Sequence, residues 1–178
     1  MEFEVEIEGT SPIIFNKPCG KEEGKRIIGL PDNEQAEYRV YRTNGRNSNI
    51  AIFNAWLKGC IRDYYTRTAP SKKKTEYYND ISPSISISPM YIDLGVNSYN
   101  IRKVPIMIKQ KGKVANIEEP AQPILNTPWK AKFNLECTLN KPKEEINRLV
   151  ELAGKYVGIG SNIINGYGRF KVTSFTKI

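Results

Sequence analysis

Hydrophobic and polar residues alternate strictly over the first segment, MEFEVEIEG. Phe3, Val5 and Ile7 fall on one side and Glu2, Glu4, Glu6 and Glu8 on the other, a period of two that predicts a half-buried strand. Residues 16–47 lose any period. They are dense in Gly, Pro, Asn and charge and read as a loop-rich insertion with one short strand at 38–41. A helical period sets in over residues 49–66, where Ile50, Phe53, Trp56, Leu57, Cys60, Ile61 and Tyr64 share one broad face. Asn47 or Ser48 suits its N-cap. The opposite side carries Asn54, Lys58, Arg62 and Tyr65 on one line.

Residues 68–80 read as a polar connector, and residues 81–94 alternate Ile and Ser as a strand interrupted by prolines. Residues 101–117 suggest a hairpin: Ile101, Val104, Ile106 and Ile108 lead into a turn at 110–113, and Val114 and Ile117 return. Residues 118–128 read as loop. Alternation resumes over 129–139, with Ala131, Phe133, Leu135, Cys137 and Leu139 opposite Lys130, Lys132, Asn134, Glu136 and Thr138. A second helix follows at about 142–157. Pro142 suits its first position, and Glu144 and Glu145 suit the positive end of the macrodipole. Ile146, Leu149, Val150, Ala153, Tyr156 and Val157 form its apolar stripe, and Gly158 or Gly160 ends it. A Gly-rich loop over 158–168 leads into a last strand over 169–175.

The order strand, helix, strand region, strand, helix, strand is the β-α-β-β-α-β pattern of an α+β, ferredoxin-like fold. It predicts one domain over 1–178 with insertions at about 16–47 and 68–128. In that topology the first strand lies between the third and fourth. The charges agree: the glutamates would face Lys130 and Lys132 on one side and Arg169 and Lys171 on the other, each pair worth ~0.2–1 kcal/mol. A sheet face of paired charges lacks the aromatics on which an RNA-recognition motif stacks bases, so nucleic acid is expected at the helix flank and loops.

The chain has 178 residues, 27 Lys+Arg against 19 Asp+Glu, a net charge of +8 and no histidine. The length fits one domain. The charge suggests an anionic partner, most often nucleic acid; a soluble domain that is merely basic is an equal alternative on charge alone. Without histidine there is no Ser-His-Asp or Cys-His nucleophile, no His general base and no His-bound zinc. Cys19, Cys60 and Cys137 are too few and too far apart for an all-cysteine zinc site or a disulfide framework. They suggest a reducing, cytoplasmic setting. No metal and no cofactor is expected. Nothing approaches the ~18 successive apolar residues of a membrane span, and the acidic start is unlike a signal peptide.

The most specific constellation is C-terminal: a helix, then Gly158-Ile159-Gly160-Ser161, then Gly166-Tyr167-Gly168-Arg169-Phe170, then a strand. Glycines permit close backbone approach, so successive amides can point at a phosphate or at a packed neighbour. In a dinucleotide fingerprint or a P-loop the glycines follow a strand and open a helix. Here the order is reversed, so those cofactor readings fail. The plain alternative is a Gly-terminated helix with a tight turn. A helix followed by G-x-G-S…G-x-G-R-F at the end of a ferredoxin-like domain resembles the RAMP superfamily of CRISPR-associated RNA-binding proteins. The first helix adds to this: Leu57, Lys58, Gly59 and Arg62 match the segment "LKGALR", with Cys60 and Ile61 in place of Ala-Leu. The resemblance covers roughly residues 1–15, 48–66 and 129–177.

That resemblance implies a partner of single-stranded RNA, with single-stranded DNA as the variant. It also implies other CRISPR-type subunits or copies of the chain itself as neighbours. Small stand-alone relatives are similar to proteins of phages and archaeal viruses. The residues fit. Lys58 and Arg62 can meet adjacent phosphates, Asn54 a base or a 2′-hydroxyl, and Tyr65 can stack on a base. Lys72, Lys73 and Lys74 lie between Tyr64-Tyr65 and Tyr77-Tyr78, an interleaving that suits a single strand. A solvated charged face is the alternative for each. Lys111 and Lys113 flank the hairpin tip, where RAMP backbone subunits carry a strand-kinking thumb; lysines guarding an edge are the alternative. Gly158, Gly160, Ser161, Gly166, Gly168 and Arg169 complete the expected surface, and Arg42 and Arg46 extend it. Catalysis is not expected, because no spacing of Tyr, Lys or Arg singles out an acid–base pair. Two other classes stay open: a virus-encoded mimic that docks on CRISPR subunits, and an RNA-processing nuclease.

Overall fold

The computed structural model describes residues 1–103, 105–110 and 113–178. The chain begins with β1 (Glu2–Gly9), β2 (Ile13–Ile14), α1 (Lys21–Ile28), α2 (Asp32–Arg39), β3 (Tyr41–Arg42), β4 (Ile50–Phe53) and α3 (Asn54–Thr68). It continues with α4 (Lys74–Ser84), β5 (Ile85–Ser88), β6 (Tyr91–Asp93), β7 (Asn100–Lys103), β8 (Ile106–Gln110) and β9 (Lys113–Glu118). β10 (Ala121–Leu125), β11 (Lys130–Cys137), α5 (Lys143–Tyr156) and β12 (Phe170–Lys177) complete it.

The central sheet is antiparallel, in the order β12-β1-β11-β5. This is the ferredoxin-like arrangement, with β1 between the third and fourth core strands as its charges predict. Phe3, Val5 and Ile7 are buried together with Ala131, Phe133, Leu135 and Cys137, beneath α3 and α5. On the open face, Lys132 lies 2.8 Å from Glu4 and 3.4 Å from Glu6. Glu8 takes Lys171 at 2.9 Å and Lys130 at 3.6 Å. The hydrogen bond from Lys171 holds the Glu8 carboxyl below its ordinary value. Arg169 does not join this mesh. β12 starts one residue later, and the Arg169 guanidinium donates instead to the Ile163 carbonyl at 3.1 Å.

The first core helix starts at Asn54, not at 49. Ile50 and Ile52 belong to β4, which is buried between β3 and β6. Ile50-Ala51-Ile52-Phe53 satisfies a helical stripe and a buried strand equally, and β-branched residues in the ladder decide for the strand. The N-cap is the extended Phe53 rather than Asn47 or Ser48, and the Asn54 amide donates to Met90 at 2.9 Å. Cys60 Sγ donates to the Ala153 carbonyl at 3.3 Å, joining α3 to α5, and burial pushes its thiol up to about 12. Cys137 is likewise buried and raised by burial, whereas Cys19 is exposed.

The insertions hold more structure than their composition suggests. Residues 16–47 contain α1 and α2, and the strand there is Tyr41–Arg42 rather than 38–41. A tertiary clamp fixes them: the buried Gln35 amide donates to Ile28 and Leu30 at 3.1 and 2.9 Å and accepts from the Ala121 amide at 3.1 Å. Arg42 forks onto Glu37, with Nε 2.6 Å from Oε1 and Nη2 2.8 Å from Oε2, and Tyr99 donates to the same carboxylate at 3.0 Å. Burial alone would raise the Glu37 pKa, but these bonds prevail and hold it below the ordinary value. The connector at 68–80 holds a 3-10 turn, Ser71–Lys73, and most of α4. The loop at 118–128 contains β10, which pairs with β2 and β7. The expected hairpin forms from β8 paired with β9 alone; Ile101 belongs instead to β7, which pairs with β10, and Val104 lies outside the described residues. Among the described residues no helix is long and apolar enough to cross a membrane.

Candidate nucleic-acid interface

α3 turns Leu57, Cys60 and Ile61 onto the sheet, so the line Asn54, Lys58, Arg62, Tyr65 runs along its flank toward α4. Two of these side chains are spent on tertiary contacts. Asn54 Nδ2 donates to the Ile87 carbonyl at 2.7 Å, tying the helix start to β5. The Tyr65 hydroxyl donates to Asp80 at 3.0 Å, and its ring lies 5.0 Å from that of Tyr77. Burial, joined by the bond to Asp80, pushes its pKa up to about 12. Arg62 sits over the Tyr78 ring at 5.1 Å, with Nη2 3.4 Å from Asp63. Lys58 is half-buried one turn earlier, and Lys72, Lys73 and Lys74 are exposed where the 3-10 turn passes into α4.

Where α3 meets the start of α4, Asp63, Thr66, Arg67, Lys74 and Tyr78 line an open cleft of about 200 Å³. Arg67 escapes a reading of the sequence, which does flag Tyr78 as an aromatic beside the lysines. Arg67 falls off the helical line drawn through Lys58 and Arg62. Lys74 and Tyr78 are partners only once 74–84 is known to be a helix. Arg62 Nε and Thr66 Oγ1, one turn apart, are buried with no hydrogen-bond partner among the described residues.

The Gly-rich loop folds back over residues 11–14. The amides of Ser161, Gly168 and Ile159 donate to Ile14, Pro12 and Gly168 at 2.8, 2.8 and 2.9 Å. The Arg169 amide donates to Ser11 Oγ at 2.8 Å. Amides expected to face a phosphate are therefore bonded within the protein. Gly158, Gly160 and Gly168 are pressed against backbone, and a Cβ on them would strike Gly168, Ile14 and Ile159 respectively. Gly166 faces open space. The Tyr167 ring lies 4.8 Å from the Arg102 guanidinium. What the loop supplies is shape: with α3 it forms a cleft of about 190 Å³, lined among others by Trp56, Gly59, Asp63, Gly158 and Gly160. Lys111 lies outside the described residues, as does the side chain of Lys113.

No protein-family model matches the sequence, and neither does any curated protein. Solved structures do match. One is a chain in the cryo-EM structure of the Type III-B Cmr-beta bound to cognate target RNA. Its TM-score is 0.56 at 14% identity, covering 98% of this chain and 59% of that one. This protein shares its fold with chains of CRISPR complexes. A chain of the Type IV-B CRISPR Complex matches with a TM-score of 0.53 at 9% identity, covering 99% of this chain and 90% of that one. At such identities the likeness is one of architecture: an α+β, ferredoxin-like fold. That fold places α3 and the Gly-rich loop side by side at one flank of the sheet.

Proposed function

We propose that the protein is a non-catalytic, single-stranded nucleic-acid-binding subunit, with RNA preferred, that holds the strand along α3 between α4 and the Gly-rich loop. One observation carries this reading. Arg67, Lys74 and Tyr78 converge in a single cleft, with Arg62 stacked on the same tyrosine. Lys58 and the side-chain-free Gly59 continue the surface toward the loop cleft. The cations meet phosphates and the tyrosine offers a face to a base. The shared fold supports the reading, since one chain of that architecture belongs to an assembly bound to target RNA. Its neighbours are taken to be subunits of the same kind, copies of itself included. Ile164, 94% exposed at the loop tip, is an apolar contact that such a neighbour could cover.

The test is an electrophoretic shift with labelled single-stranded RNA and DNA of one sequence across a salt series. RNA is expected to bind more tightly, with log affinity falling linearly against log salt. The triple variant Lys58→Ala/Arg67→Ala/Lys74→Ala lowers that slope by about 2 if each lysine or arginine meets one phosphate. A folded triple variant that binds like the parent overturns the assigned surface. Shortened RNA after incubation overturns the absence of catalysis.

A further inference from the structure

Beyond the start of α3 lies an aromatic cluster that the α3 surface does not use. Tyr41 stacks on Phe53 at 5.3 Å, and Tyr91 lies 5.9 Å from Tyr41 and 6.0 Å from Phe53. Tyr41 is buried, whereas Tyr91 is 39% exposed and offers a ring to solvent. Lys17 stands 5.7 Å above the Tyr41 ring. Lys17, Tyr41, Arg42, Arg46 and Tyr91 line, with Glu37, an open cleft of about 250 Å³. Its one carboxylate is already neutralised by the Arg42 fork and the Tyr99 hydroxyl, so Lys17 and Arg46 give the cleft a surplus of positive charge.

This cleft adjoins the one beside the Gly-rich loop. Trp56 lines the cleft beside the Gly-rich loop and packs edge-on against Tyr41 at 5.4 Å. Asp63 is shared by the loop cleft and the cleft at the end of α3. The loop cleft and the cleft at the end of α3 thus follow one another along a helix of 15 residues, roughly 22 Å long, and the aromatic cleft adjoins the first of them through Trp56.

We infer that the strand's path runs past the N-terminal end of α3 into a nucleotide pocket, where an unpaired base stacks on Tyr91 against the Tyr41–Phe53 pair while Lys17 and Arg46 take its flanking phosphates. The inference rests on the single-strand reading and adds a base-stacking site to it. One exposed ring beside two cations that form no salt bridge among the described residues suits a base with its phosphates. The arrangement is less suited to an apolar protein segment, which would leave Lys17 and Arg46 without partners.

The experiment measures affinity for single-stranded RNA of increasing length, with full-length wild type and with Tyr91→Ala, Tyr91→Phe and Lys17→Ala/Arg46→Ala. Wild-type affinity climbs with length and levels off once the strand spans all three clefts. Tyr91→Ala lowers affinity for the long strands by ~10-fold, and Tyr91→Phe restores it, because stacking needs the ring and not the hydroxyl. Lys17→Ala/Arg46→Ala reduces the salt slope by about 1.4, two phosphates at the single-strand value. Photo-crosslinking of 4-thiouridine-substituted RNA then yields an adduct in the peptide that contains Tyr91. Binding that is lost in the α3 triple variant but unchanged in all three cleft variants overturns the inference and leaves the α3 surface standing. No binding by wild type sinks both. A Tyr91→Phe variant as weak as Tyr91→Ala overturns stacking as the mode of contact.

Discussion

Gly168 and Gly166 stand two positions apart in one loop, both with positive φ, yet they answer different demands. A Cβ at Gly168 would land on the Ile159 carbonyl, whereas one at Gly166 meets nothing. Gly168→Ala should therefore cost about 3 kcal/mol or more in a denaturant melt, from backbone collision added to conformational strain. Gly166→Ala should cost only about 1 kcal/mol. Equal costs would mean that the motif serves flexibility rather than packing. Glu37 supplies a second case. Its folded pKa is held down, so the stability it contributes is present above the unfolded carboxylate range and is lost as pH falls through the depressed value. Glu37→Gln should lower stability by about 2 kcal/mol at neutral pH. The gap to wild type should close in acid, which paired thermal melts across pH would show.

Among elements, β11 separates the two currencies of the sheet. Lys132 and Phe133 are neighbours on opposite faces; Lys132 is 56% exposed in its ion pairs and Phe133 is 2% exposed in the core. Lys132→Ala should cost little, and less still in high salt. Phe133→Ala should cost about 3–5 kcal/mol whatever the salt. Chemical denaturation of both variants at two ionic strengths distinguishes them. The same contrast explains which elements can be read from residues alone. β1, β11 and α5 each keep one period from end to end, and each emerges in place. α1 and α2 are eight residues each and mostly charged, so their stability comes from the Gln35 clamp, a long-range contact invisible to local pattern. β4 hides within a helical stripe because its four residues fit both periods. For the site, Lys58, Arg62 and Lys74 were legible from spacing. Arg67, and the pairing of Tyr78 with Arg62, depend on how α3 and α4 pack, and the bonding of the loop amides depends on the fold-back onto residues 11–14.

Over the whole molecule, the surplus charge of +8 is unevenly placed. The open face of the sheet carries a cleft of about 440 Å³, but Glu6, Glu8, Lys130 and Lys132 line it with both signs. That face has little pull on a polyanion, whereas α3, the 3-10 turn with Lys72 and Lys73, and the cleft around Arg46 each carry a net positive charge. Steering should follow the same division. In stopped-flow association with single-stranded RNA at low salt, Lys74→Ala should slow encounter, whereas Lys132→Ala should leave it unchanged or slightly slower. A larger effect from Lys132 would relocate the approach to the sheet.

The thiols carry a practical consequence. Cys60 and Cys137 are sealed in the interior, one with its thiol raised to about 12, while Cys19 is exposed two residues from Lys17. A maleimide dye offered to the native protein should attach at that one position without any engineering. It would then sit beside the aromatic cleft as a resident reporter, its brightness rising or falling as the cleft fills.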